Sequence, residues 1–101
     1  MSERPPRPLL HPETDTAQAL GAADEASGGI VPAWHASTTY RRDAHYAPLK
    51  GRIYTRDENP TYHPAEALLA RLEGGAESML FASGMMAATS LLGTLLPGDH
   101  V

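Results

Sequence analysis

The sequence contains no cysteine and little positive charge, and both shortages limit what the protein can do. Without cysteine, neither a disulfide nor a thiolate metal site can form, which suits a reducing compartment, so we expect a cytoplasmic protein. Eight lysine and arginine residues stand against twelve acidic residues, for a net charge of -4. Nucleic acids and anionic membranes usually require a basic surface, which this composition does not supply.

Long apolar runs are also missing. No stretch of the sequence approaches membrane-spanning length, and no apolar segment follows the charges near the N-terminus as it would in a secretory signal. We therefore expect neither a membrane nor a nucleic acid among the partners. A length of 101 residues corresponds to one small domain or to part of one.

Residues 1–50 are predicted to form an extended N-terminal arm. Four prolines occur within the first twelve residues and a Ser-Gly-Gly run ends at residue 29, a composition that resists a packed core. Residues 14–23 are compatible with one short helix, whose small apolar face would need a larger body to lie against. Residues 30–40 favour an extended chain, although Pro32 restricts any strand there to a sheet edge.

A helix is predicted after an extended segment over residues 51–59. Thr61 or His63 can cap its N-terminus, and in the second case Pro64 takes the first helical position and Glu66 the third. Leucine and alanine then recur at helical spacing until Gly74-Gly75 ends the helix.

The remaining residues predict a strand, a helix and the start of another strand. Residues 78–82 form a short apolar run, as in a buried strand, and residues 85–96 have the spacing of an apolar helix. His100 would begin the next strand. This order predicts an α/β layer with a parallel sheet over residues 51–101, in which the helix from Met85 is the crossover.

The Ser83-Gly84-Met85 turn is a candidate anion site. Backbone N–H groups at a helix N-terminus point outward at the positive end of the helix dipole, and a glycine allows a phosphate to approach the backbone closely. The same tripeptide is also typical of a simple helix cap. Its pattern alone does not decide between these two interpretations.

Tyr54 and Arg56 are a second candidate for phosphate binding. In an extended segment, residues two apart project from the same face, so a hydroxyl group and a planar guanidinium would lie side by side. An isolated Tyr-x-Arg pair is more often part of a solvated face or a surface ion pair, so the pair alone decides nothing.

Other kinds of site find little support. The five histidines show no i, i+4 pair, which argues against a zinc site, and the Gly-rich loops of nucleotide-binding proteins are absent. Ser83 lies on a strand-to-helix turn as a hydrolase nucleophile would. The hydrolase pattern, however, requires glycines where Phe81 and Met85 stand.

Four sequence blocks occur in one order and together carry a resemblance to a known family. They are Tyr54-Thr55-Arg56-Asp57-Glu58-Asn59-Pro60-Thr61, Leu72-Glu73-Gly74-Gly75, Ser83-Gly84-Met85-Met86-Ala87-Ala88 and Leu96-Pro97-Gly98-Asp99-His100-Val101. In this order they resemble the opening of the pyridoxal-phosphate enzymes of cysteine and methionine metabolism, the cystathionine γ-synthase and γ-lyase family. The resemblance is strong from Gly51 onward.

The resemblance implies a fold and a function. The fold is the start of the large α/β domain of type I, aspartate aminotransferase-like PLP-dependent transferases, preceded by the arm and incomplete at residue 101. The implied cofactor is pyridoxal 5'-phosphate (PLP). The implied activity, in sulfur amino-acid metabolism, is elimination or replacement at the β or γ carbon of an amino-acid substrate. The implied assembly is a homo-oligomer, which in this family is a tetramer built from dimers.

The resemblance also assigns residues to the cofactor phosphate. In the family, a Tyr-x-Arg pair reaches the phosphate across a subunit interface, and here this pair is Tyr54 and Arg56. A Ser-Gly-Met turn binds the same phosphate from its own subunit, which implicates the backbone N–H groups of Gly84 and Met85, with Ser83 as a lesser candidate.

Some features of the family are not matched. Thr55 stands where the family often has serine, and the family's ring-stacking aromatic residue, its aspartate and its cofactor-bearing lysine come later than Val101. Lys50, the only lysine, matches none of its catalytic positions. We therefore expect these residues to hold the cofactor phosphate without catalysing a reaction alone. Two alternatives are a non-catalytic product that binds a full-length paralogue and an unrelated small phosphate-binding domain.

Overall fold

The computed structural model describes residues 10–101. Three α-helices occur in this part of the chain, α1 (Pro12–Ala17), α2 (His63–Glu73) and α3 (Gly84–Leu92), and a 3₁₀ turn (Ala19–Gly21) follows α1. β-Pairing within residues 10–101 is limited to three isolated antiparallel bridges. No helix in this range has both the length and the apolar character needed to cross a membrane.

The arm docks on α2. Both α1 and the 3₁₀ turn pack against α2, and Arg71 Nε of α2 lies 3.2 Å from Asp15 Oδ2 of α1 in an ion pair. The buried residues in the described part of the chain are Asp15, Asn59 and Ala70. The packed part of the structure is therefore small and centred on α2.

The helix predicted within residues 14–23 forms earlier and ends earlier than expected. It begins at Pro12, where the fixed φ of proline suits the first turn, and it ends at Ala17. Leu20 then has a φ of 55°, a left-handed conformation that no α-helix continues through. The prediction of a division at residue 50 into arm and domain stays a prediction.

The sequence signals around α2 give its end correctly, but Tyr62 rather than Thr61 or His63 is the N-cap, no side chain caps the helix, and Glu66 has a different role from the predicted one. Pro64 lies in the first turn, and Gly74 closes the helix with a φ of 66° that glycine adopts without strain. Glu66 does not complete a capping box. Its Oε1 accepts a hydrogen bond from Leu80 N–H at 3.0 Å, and its carbonyl accepts one from the Ser78 hydroxyl at 2.7 Å. Glu66 thus ties the chain after α2 back onto α2.

The predicted strands over residues 78–82 and at His100 do not form within residues 10–101, and residues 30–40, expected to be extended, form no strand either. A strand requires a ladder of hydrogen bonds to a neighbouring strand. Of these segments, only residues 30–40 show pairing, through a single bridge between Thr39 and Tyr54. Apolar, β-branched composition is therefore insufficient to make strands here.

Helix α3 begins as predicted but ends at Leu92, four residues before the predicted end at Leu96. Gly93 follows Leu92, and a turn then leads to Pro97. Within the described residues, α3 packs against neither of the other helices. Its side chains consequently remain open to solvent, with Met85 76% and Leu91 70% exposed.

Candidate phosphate site

Tyr54 and Arg56 lie in a tight turn, residues 54–57, called here the Tyr54 turn. The backbone N–H groups of Asp57 and Glu58 both donate to the Tyr54 carbonyl at 3.1 Å. The expectation that this segment is extended, with both side chains on one face, is therefore wrong. The turn brings the two side chains together in another way, since the Arg56 guanidinium carbon lies 5.1 Å from the centroid of the Tyr54 ring.

The Arg56 guanidinium is available to an anion. Arg56 is exposed, and it forms no ion pair or hydrogen bond through its side chain with any residue from 10 to 101. Arg52 and Arg71, by contrast, are each paired with a carboxylate. The half-buried Tyr54 ring supports the guanidinium from one side, so its N–H groups face solvent as a planar donor fork.

A second set of donors lies at the N-terminus of α3. Ser83 caps this helix, because its Oγ accepts a hydrogen bond from Met86 N–H at 3.2 Å and its carbonyl accepts one from Ala87 N–H at 3.2 Å. No hydrogen bond of the described residues uses the N–H groups of Gly84 and Met85. Both predicted backbone donors are thus present at the positive end of the α3 dipole.

The space around Gly84 is open. A β-carbon added at this position would have no atom of another residue within 4 Å beyond its chain neighbours and its own helix. Packing among the described residues therefore does not require a glycine at this position. It leaves room for a ligand next to the helix N-terminus.

The described residues do not bring the two donor sets into contact. No hydrogen bond or ion pair between residues 10 and 101 joins the Tyr54 turn to α3. Each set is complete locally, because a turn forms the first and a helix N-terminus forms the second. Neither set by itself surrounds an anion.

The chemistry of the combined donors suits a phosphate dianion. The guanidinium, the phenolic hydroxyl and the two backbone N–H groups all donate hydrogen bonds, and the guanidinium adds a permanent positive charge. Residues 10–101 contain no group of three His, Asp or Glu side chains arranged to hold a metal ion, so no metal site comparable to the phosphate donors is found among them.

Two features next to the Tyr54 turn have no counterpart in the sequence-based assignment. Glu58 Oε1 lies 3.3 Å from both Arg52 Nε and His63 Nε2. This cluster engages a carboxylate close to Arg56 with the Arg52 guanidinium and the His63 ring. The second feature is the burial of Asn59, which is only 4% exposed. An Asn-Pro sequence signals a turn but does not reveal which distant groups an amide side chain will meet.

Comparison with known proteins relates this arrangement to one family. A family model described as "Cys/Met metabolism PLP-dependent enzyme" matches residues 13–101, a range that includes both donor sets. A solved structure of metB from Corynebacterium glutamicum matches with a TM-score of 0.71 and 38% identity, over 90% of this chain and 25% of that chain. This likeness confirms the predicted fold class, the PLP-dependent transferase fold.

Curated relatives of similar sequence include a cystathionine β-lyase and a cystathionine γ-synthase. The chain is 34% identical over 91 residues to a cystathionine β-lyase of Coxiella burnetii, covering 90% of this chain and 23% of that enzyme. It is 38% identical over 91 residues to a cystathionine γ-synthase of Mycobacterium bovis, covering 89% and 24%. The chain thus spans about a quarter of the length of the curated relatives it matches.

Proposed function

The chain belongs to the family of PLP-dependent enzymes of cysteine and methionine metabolism, and we propose that it supplies donors for the cofactor phosphate in such an enzyme. The substrate would be a sulfur-containing amino acid or its precursor, undergoing elimination or replacement at the β or γ carbon. Family membership removes the alternative of an unrelated small phosphate-binding domain.

The guanidinium of Arg56, which lies beside Tyr54 and has no ion pair or hydrogen bond within residues 10–101, is the observation that carries the proposal. Most arginines with a structural role are held by a carboxylate or a carbonyl, as Arg71 is by Asp15. Arg56 is instead supported by an aromatic ring and open to solvent. Such an arrangement holds a permanent charge ready for a phosphate, which accepts the two parallel hydrogen bonds of a guanidinium.

The bound cofactor would act as an electron sink for the substrate, which is chemistry that no protein side chain supplies. Tyr54, Arg56 and the N–H groups of Gly84 and Met85 would anchor its phosphate and so fix its orientation. Ser83 Oγ already accepts the Met86 N–H, and its hydroxyl hydrogen is able to donate to the same phosphate.

The proposed function is tested by comparing PLP with pyridoxal, which lacks the phosphate. In the protein expressed from its complete gene, PLP is expected to bind at least about 100-fold more tightly than pyridoxal, because several charge-assisted hydrogen bonds go to the phosphate. Inorganic phosphate is expected to compete with PLP. Fluorescence or absorbance titration measures both affinities, and equal affinities for PLP and pyridoxal would contradict the proposal.

We further propose that two copies of the chain complete one phosphate site, with the Tyr54 turn from one copy and α3 from the other. The absence of any bond between these two elements within residues 10–101 supports this, as does the exposure of α3. The protein would then be a homo-oligomer.

A mixing experiment separates the two-copy site from a site within one copy. Arg56→Ala removes the first donor set and Gly84→Pro removes an N–H group of the second. If a site draws on two copies, a mixed dimer of these variants contains one site with both defects and one intact site. Mixed dimers, formed by co-expression with two tags, are therefore expected to bind PLP with wild-type affinity at half of their sites. If no site regains wild-type affinity, each copy holds its own phosphate and the proposal of a shared site is wrong.

A further inference from the structure

The carboxamide of Asn59 joins three segments that meet behind the Tyr54 turn. Its Nδ2 donates to the His35 carbonyl at 3.0 Å and to Thr55 Oγ1 at 2.6 Å, and its Oδ1 accepts a hydrogen bond from Thr61 N–H at 2.9 Å. Both N–H groups of the amide and its oxygen are therefore engaged. A buried amide with both N–H groups and its oxygen engaged holds its partners in one arrangement.

A neighbouring hydrogen bond strengthens the same junction. His35 N–H donates to Thr61 Oγ1 at 2.8 Å, so both backbone groups of His35 are held by residues at the approach to α2. The Asn59 carbonyl also accepts a hydrogen bond from Tyr62 N–H at 3.1 Å, immediately before that helix. Asn59 is thereby fixed to α2, the best packed element of the described chain.

Thr55 is the point at which this junction reaches the candidate phosphate site. Thr55 stands between Tyr54 and Arg56, and its backbone N–H donates to the Thr38 carbonyl at 2.9 Å. The backbone of Thr55 is thus held from one side by Thr38, while its hydroxyl is held from the other side by Asn59. These two bonds hold Thr55 between Thr38 and Asn59, and the bond to Asn59 ties the Tyr54 turn to the approach to α2.

We propose that Asn59 is a positioning residue for the phosphate donors Tyr54 and Arg56, acting through the Thr55 hydroxyl. The inference rests on the proposed function, because it assumes that the Tyr54 turn binds the cofactor phosphate. Asn59 is buried beneath the turn and does not touch the phosphate. It restricts the turn to one position, so that the guanidinium and the phenol are ordered before the phosphate arrives.

The test changes the partner of Asn59 so that the other contacts of the amide stay intact. Thr55→Val keeps the branched shape of the side chain but removes the acceptor of the Asn59 N–H, whereas Thr55→Ser keeps the hydroxyl and is the matched control. Thr55→Val is expected to weaken PLP binding about 3- to 30-fold, the range of a lost hydrogen bond with a buried donor left unpaired. Thr55→Ser is expected to stay within about twofold of the wild type, since the same acceptor remains.

The affinity for pyridoxal separates positioning from a general loss of structure. A positioning role lowers the affinity for PLP and leaves that for pyridoxal unchanged, since only the phosphate contacts suffer. Equal losses for both ligands, or no loss for PLP in Thr55→Val, would overturn the inference.

A second background tests whether the effect passes through Tyr54 and Arg56. In the Tyr54→Phe, Arg56→Ala double variant, adding Thr55→Val is expected to change PLP affinity by less than about twofold, because the donors that it positions are gone. The same fold-loss in both backgrounds would overturn the positioning role while leaving the proposed function intact. If the double variant itself binds PLP as the wild type does, Tyr54 and Arg56 are not phosphate donors, and the positioning role fails with that part of the proposed function.

Discussion

Replacing Arg56 with alanine is expected to weaken PLP binding about 10- to 150-fold, with little effect on folding. Charge-assisted hydrogen bonds to a phosphate contribute about 1.5–3 kcal/mol, and about 1.4 kcal/mol corresponds to tenfold in affinity. The guanidinium contacts the Tyr54 ring but forms no ion pair or hydrogen bond within residues 10–101, so its removal leaves no buried acceptor unpaired there. Fluorescence titration with PLP measures the loss, and thermal unfolding without ligand checks the stability.

Two variants show whether the loss at position 56 comes from a specific contact. Arg42→Ala removes the same charge from a guanidinium that donates to the Tyr46 carbonyl of its own loop, and it is expected to leave PLP affinity unchanged. Arg56→Lys keeps the charge but not the planar fork, so an intermediate affinity is expected. If Arg56→Ala binds PLP as tightly as Arg42→Ala does, Arg56 is not a phosphate donor.

Replacing Gly84 with proline is expected to weaken PLP binding about tenfold or more while preserving α3. Proline is well accommodated as the first residue of a helix, and the preceding Ser83 has the extended conformation (φ -154°, ψ 155°) that proline requires before it. The substitution therefore deletes one backbone N–H group without breaking the helix. A hydrogen bond from that N–H to a charged phosphate is worth about 1.5 kcal/mol or more.

Gly84→Ala is the matched control for the deleted N–H group. Alanine keeps the backbone donor and adds only a β-carbon, which meets no protein atom within 4 Å beyond its chain neighbours and its own helix. Any loss of PLP affinity in Gly84→Ala measures how closely the phosphate approaches the backbone. The further loss from alanine to proline measures the N–H group itself, and equal affinities of the two variants would exclude Gly84 N–H as a donor.

The end of α2 and the start of α3 were predictable because the signals for them are local. Pro64 lies in the first turn of α2, Gly74 ends it, and Ser83 caps α3 through Met86 N–H, only three residues away. The candidate donors at Gly84 and Met85 follow from the same local rule, because the first N–H groups of any helix lack partners within it. Where a local signal was incomplete, the prediction failed, as it did for the end of α3.

The strands and the conformation at Tyr54 were not predictable, because they depend on distant residues. Apolar composition over residues 78–82 suggests a strand, yet Leu80 N–H donates to the side chain of Glu66 rather than to a neighbouring strand. Isoleucine, tyrosine and threonine at positions 53–55 favour an extended chain, yet Tyr54 begins a turn, and its one bridge is to Thr39. β-Propensity reflects how a side chain packs on neighbours, which a single segment does not contain.

The sequence by itself determined the family, the end of α2 and the start of α3, and it supplied the candidates for the phosphate donors, because each follows from residues close together in the chain. Only the tertiary structure decided how those donors are held. The Arg56 guanidinium rests on the Tyr54 ring because a turn replaces the extended segment, and that turn is tied to α2 through Asn59, His35 and Thr55. The bond from Asn59 to His35 spans 24 residues, and no local preference specifies which buried acceptor an amide will find at that distance.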